Sequence, residues 1–472
     1  MAGRFLQAFK PIAKALPVVH APERRVRFSE KLFWTLLALI IYLIMGTIPL
    51  YGVVAGEQWQ LQYMRIIFAS QRGRLTELGI GPIVTAGLIL QLLVGANMIE
   101  CDMTNPEDRA LFTSASKAFS MIFTGIQASA YIIGGVYGRL DPLTSIIVFL
   151  QLIAAGIIII LLDEMVQKGW GLGSGISLFI LGGVAQQVAW WCLFPGPSGD
   201  GKPFGFFPAL IHVALTGEDP VSIVVRGALP SLVGFLATIA IFLITIYLQG
   251  VRVEIPIAHA MYKGFRGRYP INLLYVSNLP VIFASALFAN IYFFSQLFWV
   301  NFNQGNRNPW INLLGMYRSN PDTNQLEPIG GLVYYVISPR GPMDVAADPI
   351  RALGYAAILI AFCAIFSVIW LEVGGLGPST VAKQLVDSGM QIPGYRRSAK
   401  PIEMLLKRYI PAVTVLGGII VGLIAASADF LGAFGSGTGI LLSVGILYQY
   451  YQILLREQAA EMYPALRRFI GG

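Results

Sequence analysis

Ten runs of predominantly apolar residues dominate this chain, at 33–50, 82–99, 118–138, 143–162, 174–193, 229–248, 273–300, 351–371, 409–427 and 434–455. A helix needs about 20 such residues to cross the hydrocarbon core of a bilayer, and backbone in lipid must satisfy its own hydrogen bonds. Runs of this length and number predict an all-α membrane protein with ten transmembrane helices. Composition agrees. Only 12% of the 472 residues are charged and 56% are hydrophobic, whereas a soluble domain carries about 25% charge. So small a polar complement cannot coat a soluble surface of this size.

The net charge is +8. If the N-terminus lies inside, the tails and the segments near 100–117, 163–173, 249–272 and 372–408 are inside as well, and they hold 23 of the 33 Lys and Arg. Lys and Arg gather on the cytoplasmic side, so both termini are predicted to be cytoplasmic. Residues 1–31 carry seven Lys and Arg among Phe5, Leu6, Phe9, Ile12 and Leu16. They read either as an amphipathic helix on the membrane surface or as a basic tail, ahead of a first span rather than a cleavable signal. Residues 456–472 form the other cytoplasmic tail. The outside segments 194–228 and 301–350 read as connectors, whereas the basic segments 249–272 and 372–408 read as loops projecting from the membrane.

One apolar stretch fails the length test. WQLQYMRIIFAS (59–70) reaches only about 18 Å as a helix, against a core of about 30 Å, and it carries Arg65. It must be shielded by protein or face water. The charged stretch QRGRLTELG (71–79) then separates it from the second span.

Catalytic and metal chemistry find no support. Cys101, Cys192 and Cys363 are far apart, as are His20, His212 and His259, so neither a disulfide framework nor a metal site is expected, and no cofactor. GLGSGISLF (171–179) opens a span instead of following a strand, so it is not a nucleotide loop. The interiors of the ten runs lack ionisable residues, which an ion-coupled transporter needs at mid-membrane. Their polar residues are amides (Gln91, Gln127, Gln186, Gln187, Asn290 and Gln296) of the kind that join helices by hydrogen bonds. Ten spans divide into five and five. Because five is odd, any repeat between the halves is inverted.

Five motifs then carry a resemblance: TELGIGPIVTAGLILQLL (76–93), QKGWGLGSGISLFI (167–180), LQGVRVEIPI (248–257), YPINLLYVSNLP (269–280) and GSGTGILLSVGILYQYY (435–451). Together, and in this order, they resemble the SecY family, and within it the branch that serves the endoplasmic reticulum. The resemblance implies a protein-conducting channel of two pseudo-symmetric inverted five-helix halves, 32–193 and 229–455, linked by the lumenal segment 194–228. It also implies a short re-entrant plug helix at about 59–75, and a lateral gate between the second and third helices on one side and the seventh and eighth on the other. By motif position, the pore ring is Ile80, Val84, Ile176, Ile180, Ile282 and Leu442. Gln127 and Asn290 are implied to face each other across the gate. Arg72, Arg74 and Glu77 are expected to form a hydrated polar hinge for the plug.

Lys263, Arg266, Arg268, Arg396, Arg397 and Lys400 are implied to touch the translating ribosome, together with Lys383, Lys407 and Arg408. The segment opening AHAM (258–261) and Asn272 both depart from the family's usual, more basic pattern. Implied partners are small beta and gamma channel subunits, accessory membrane proteins of post-translational translocation, signal peptides and nascent chains, and the bilayer. The runner-up reading is a secondary transporter of a small solute. A ribosome-docking scaffold without conduction is a third.

Overall fold

The structure, a computed structural model, describes residues 17–24, 26–53, 73–95, 98–99, 101, 105–133, 137, 140–227, 229–259, 266–276, 279–320, 325–339, 341–387, 390–391 and 399–462. Ten long helices organise it: α1 (Phe28–Met45), α2 (Gly81–Gly95), α3 (Pro106–Ile133), α4 (Pro142–Met165), α5 (Gly175–Leu193), α6 (Leu232–Gly250), α7 (Leu279–Phe302), α8 (Pro349–Val373), α9 (Ala399–Phe430) and α10 (Gly437–Met462). Each takes up one of the ten apolar runs; most ends are displaced by a few residues, whereas α3 and α9 begin twelve and ten residues before their runs. The N-terminal signals are local. Pro142 and Pro349 begin α4 and α8, where a missing N–H costs nothing. The Ser231 hydroxyl accepts from the Gly234 N–H at the start of α6, and Asp348 accepts from the Arg351 N–H at the start of α8.

Among the described residues, eight of these helices are long and apolar enough to cross a membrane. The other two are α2 and α3. α2 has 15 residues, and the first turns of the 28-residue α3 carry Glu107, Asp108, Arg109 and, further on, Lys117. Both sit at the expected runs 82–99 and 118–138, so a helix stands at each of the ten expected positions.

Burial follows from helix faces. α1 presents Ala38, Tyr42 and Met45 inward while Leu36, Ile40 and Ile44 stay exposed, an i, i+4 stripe facing outward. α6 likewise exposes Leu236, Ile239, Leu243 and Ile246. Exposed apolar belts of this extent are stable only against lipid. The largest core draws on α1, α2, α4, α5, α7, α8, α9 and α10. α6 packs separately, through Ala237 and Ile241, against Ala428, Ile440 and Val444.

The basic segments are not loops. β1 (Arg252–His259) and β2 (Arg266–Asn272) form an antiparallel hairpin, and β1 also pairs with β5 (Met390–Gln391), giving the order β2-β1-β5 once β3 and β4 are numbered below. A short helix, Pro378–Asp387, precedes β5, and residues 399–408 already belong to α9. The physical reason is alternation: Ile255 and Ile271 point into a core with Leu371, Val381, Ile402, Leu406 and Ile410, while Arg252, Glu254 and Arg268 point away. The opposite connectors are also structured. Residues 194–228 include the helix Phe206–Thr216, and 301–350 include the hairpin β3 (Met316–Asn320) and β4 (Gln325–Gly330).

Candidate pore, lateral gate and plug hinge

The six expected ring positions lie on four separate segments. Ile80 ends the turn before α2 and Val84 lies on its first turn; Ile176 and Ile180 lie on α5, Ile282 on α7 and Leu442 on α10. Ile80, Val84, Ile180 and Leu442 are buried members of one apolar cluster, and Ile176 and Ile282 pack against it. Spacing explains the pairs: 80/84 and 176/180 are i, i+4 and share a face. A constriction lined only by aliphatic groups offers water and ions no hydrogen-bond partner and closes by dewetting.

α7 meets both α2 and α3, so the seam between the halves has identifiable fasteners. The Asn290 amide donates to the Thr85 hydroxyl at 3.1 Å and to its own helix at Ala286 O at 2.8 Å. One turn away on α7, Phe293 stacks on Tyr131 of α3, with ring centroids 4.8 Å apart. Gln127 lies one turn before Tyr131 and is buried, but no hydrogen bond joins it to Asn290. Asn290 instead reaches α2, where Thr85 presents a hydroxyl. Thr85 has no charge and sits inside an apolar run, so sequence reasoning missed it. Only its place four residues before Ile89 and one after Val84 could have suggested a gate-facing position.

The hinge is also more rigid than expected. The Glu77 carboxylate is buried and accepts the Gly73 N–H, and Gly73 adopts φ +67°, which a side chain would resist. The Arg74 guanidinium donates to the Thr47 carbonyl. Leu50 N–H donates to Gly73 O at 2.8 Å, and Leu75 N–H to Ile48 O at 3.0 Å. Residues 73–75 are thus pinned to the end of the first span. A hydrated hinge is corrected to a buried anchor at Glu77; the expected plug, apart from 73–75, and Arg72 lie outside the described residues.

On the strand-bearing face, Arg268 is exposed and donates to Glu254 at 2.7 Å, and Arg252 approaches the same carboxylate. The Arg268 hydrogen bond holds the Glu254 carboxyl below its ordinary range, and Glu254 in turn raises the guanidinium. Lys400 is exposed at the start of α9. Pairing of β1 with both β2 and β5 places the 266–268 and 390–391 segments on one sheet, although the sequence separates them widely. Lys263, Arg396 and Arg397 lie outside the described residues, as does the side chain of Arg266.

Comparison with known proteins follows the same outline. A family model described as SecY matches residues 74–451, and one described as the plug domain of Sec61p matches residues 40–73. The protein translocase subunit SecY of Pyrococcus horikoshii is 43% identical over 473 residues, 97% of this chain and 98% of that one. The protein transport protein Sec61 subunit alpha of Dictyostelium discoideum is 43% identical over 471 residues, with the same coverage. A solved structure described as that of a protein conducting channel superposes with a TM-score of 0.82 at 39% identity, covering 97% of this chain and 99% of that one. The structure of Sec61 in the canine ribosome-channel complex from the endoplasmic reticulum gives 0.80 at 37%, with the same coverage. Identity is equal to the archaeal and the eukaryotic relative, so it does not select between them.

Proposed function

The chain belongs to the SecY family, and from that premise we propose how its residues divide the work of a protein-conducting channel. It is the pore-forming subunit of a channel that passes polypeptides across a membrane and releases apolar segments into it. The observation that supports the residue assignment is that Ile80, Val84, Ile180 and Leu442 are buried in the apolar core shared by helices of both halves, with Ile176 and Ile282 packed against it. The two halves are 32–193 and 229–455, joined by 194–228. The ring closes around water and yields to a passing chain, because aliphatic contacts are non-directional and re-form after it.

The gate opens along α2 and α3 against α7. Asn290–Thr85 and Tyr131–Phe293 fasten it, and an arriving apolar signal helix replaces these contacts with its own. Gln127 sits beside the seam as the polar group such a helix must cover. The plug comprises residues N-terminal to Gly73, with Arg72 on the moving side and Arg74 and Glu77 on the fixed side. Its support is the match of residues 40–73 to a plug domain.

The membrane is that of the endoplasmic reticulum, with both termini cytoplasmic; the Lys and Arg distribution supports the orientation, and one solved relative is described from the endoplasmic reticulum. The translating ribosome docks on the sheet β2-β1-β5 and the start of α9, through Lys263, Arg266, Arg268, Arg396, Arg397 and Lys400. One relative of known structure is described in a ribosome-channel complex. Small beta and gamma subunits cover part of the exposed apolar belt, and accessory membrane proteins serve post-translational substrates. The chain supplies no energy of its own in this scheme and is not an enzyme.

The test is single-channel recording of the purified complex in planar bilayers. Deletion of residues 59–72 should turn a resting, closed bilayer into a leaking one. An unchanged baseline would remove the plug assignment, and cross-linking of a stalled nascent chain to single cysteines at the six ring positions would then stand as the separate test of the pore.

A further inference from the structure

One three-residue sequence occurs twice in this molecule, at the start of two helices that carry proposed ring side chains, although its central serine is extended at the first site (Ser174, φ -122°) and left-handed at the second (Ser436, φ 64°). The chain enters α5 through Gly173-Ser174-Gly175 and enters α10 through Gly435-Ser436-Gly437. In both, the first glycine has positive φ, +71° and +79°. In both, the third opens the helix.

In both, a buried carboxylate from the end of the preceding helix holds the helix start; at α10 the Ser436 hydroxyl adds a local cap, accepting the Gly439 N–H at 3.1 Å. Asp163, at the end of α4, accepts the Ile176 N–H at 2.9 Å. Asp429, at the end of α9, accepts the Gly437 N–H at 2.7 Å. Each carboxylate has a second donor on its other oxygen: the Gln167 amide at 2.7 Å for Asp163, and the Tyr355 hydroxyl at 2.8 Å for Asp429. The third glycine of each turn leaves no room for a side chain. A Cβ on Gly175 would stand 2.6 Å from the Asp163 Cα, and one on Gly437 would stand 2.8 Å from the Asp429 N.

The two joints also exchange places against one another. Gly173 packs on Tyr450 and Ile453 of α10, while Gly435 packs on Val184 and Val188 of α5. The Tyr450 hydroxyl donates to Ser174 O at 3.1 Å. Between one joint and the other the chain runs through α5, α6, α7, α8 and α9. Five crossings put the joints on opposite faces of the membrane, which is the arrangement an inverted repeat requires.

We infer that Asp163 and Asp429 are symmetry-related positioning residues, which fix the ring-bearing helices α5 and α10 to the rigid end of the helix before each and so set the closed seal. The assignment rests on the ring reading given above. Its logic is electrostatic and geometric. The first N–H groups of a helix have no partner within it, and a carboxylate there is favoured by the helix dipole. A buried carboxylate that loses its donors pays the full cost of desolvation, so the bond resists sliding or tilting of the helix. At the first joint the bonded N–H belongs to Ile176, itself a ring residue. At the second, the anchored residue lies five positions before Leu442. Other helices are started by near neighbours in sequence, as with Ser231 and Asp348. Only these two, among the described residues, combine a buried acid from the preceding helix with a Gly-Ser-Gly sequence at the helix start.

The experiment records resting conductance of the full chain with its partner subunits in planar bilayers. Asp163→Ala and Asp429→Ala should each raise the resting open fraction by roughly tenfold or more, the size expected when a hydrogen bond to a charged group is lost. Asp163→Asn and Asp429→Asn keep an acceptor oxygen at the same place and should stay close to wild type. Asp163→Glu and Asp429→Glu keep the charge but displace the helix start by one methylene and should leak; this pair decides the matter if the alanine variants fail to assemble. Ile180→Gly serves as the ring control. If it leaks while the Ala and Glu variants stay as tight as wild type, the positioning role is overturned and the ring survives. If Ile180→Gly stays tight, the ring reading fails and the positioning role falls with it. Equal leakage of the Asn and Ala variants would also overturn the inference, because a joint that merely needs its native residue for folding shows no rescue by the isosteric acceptor.

Discussion

Thr85 and Asn290 show how small the fasteners of such a gate are. A side-chain hydrogen bond between membrane helices contributes about 0.6 kcal/mol on average, because separated helices find other partners. That is enough to shift a threshold and too little to lock it. Thr85→Val and Asn290→Leu are each expected to lower the signal hydrophobicity needed for translocation. The double variant is expected to lower it little further, since both remove one contact. A series of reporters with graded signal sequences measures this, and additive shifts would mean that the two side chains act separately. Asn290 stood out in the sequence as an amide in an apolar run. Its partner did not, because Thr is common in membrane helices and a hydroxyl leaves no pattern. Glu77 misled for the opposite reason: a charge next to Arg74 looks solvated, yet its carboxylate is buried on the Gly73 N–H.

At the level of elements, the strand-bearing face makes a prediction about charge. Arg268 is partly neutralised by Glu254 at 2.7 Å, so this arginine is not a free cation waiting for phosphate. Glu254→Gln should strengthen ribosome binding and steepen its salt dependence, and Arg268→Glu should weaken binding severalfold. Co-sedimentation with ribosomes across a salt series reads both, and identical curves for the three proteins would take Arg268 out of the interface. The segment 194–228 makes another. Arg226 is almost wholly buried and donates to Asp200 at 2.8 Å and to the carbonyls of Pro203, Phe204 and Pro230. Breaking such a network by removing one partner costs about 3–5 kcal/mol. Arg226→Met should therefore lower the thermal midpoint in detergent markedly.

The same network carries a pH dependence. Partial burial pushes the Asp200 carboxyl up, but hydrogen bonds from Ser198 and Arg226 outweigh it and hold it below its usual value. A depressed carboxylate stabilises the fold above its unfolded value, and that contribution is lost as pH falls through the folded one. Asp200→Asn should flatten the acid limb of the thermal midpoint against pH. A limb as steep as wild type would assign the acid sensitivity to other groups.

In the molecule as a whole, α2 packs on α7 and α8, and α5 packs on α10, which is where the seal is proposed. α2 and α3 are the two long helices that miss full span length or apolarity, and both face α7 across the seam. A helix that leans on protein and lines a gate needs less apolar surface than one bathed in lipid. Leu442→Gly removes a fully buried ring side chain and should widen the seal, raising resting conductance while the complex still assembles. A tight baseline with normal assembly would place the constriction elsewhere.

The amino-acid sequence by itself determined the class of solution: ten apolar runs compel helices in lipid, because the backbone there has no other partner. It also set five family motifs in order along the chain. Tertiary structure alone decided what each polar group holds. Asn290 reaches Thr85, Glu77 holds Gly73, and basic segments read as loops become one sheet when β1 pairs with both β2 and β5. Asp163 and Asp429 carry no local signal; packing alone shows each buried and bonded to the start of a helix entered through Gly-Ser-Gly. The reason is that helix formation in lipid is a local requirement written in hydropathy. The partner of a buried hydrogen-bonding group is instead set by which helix lies against it, and no local pattern encodes that.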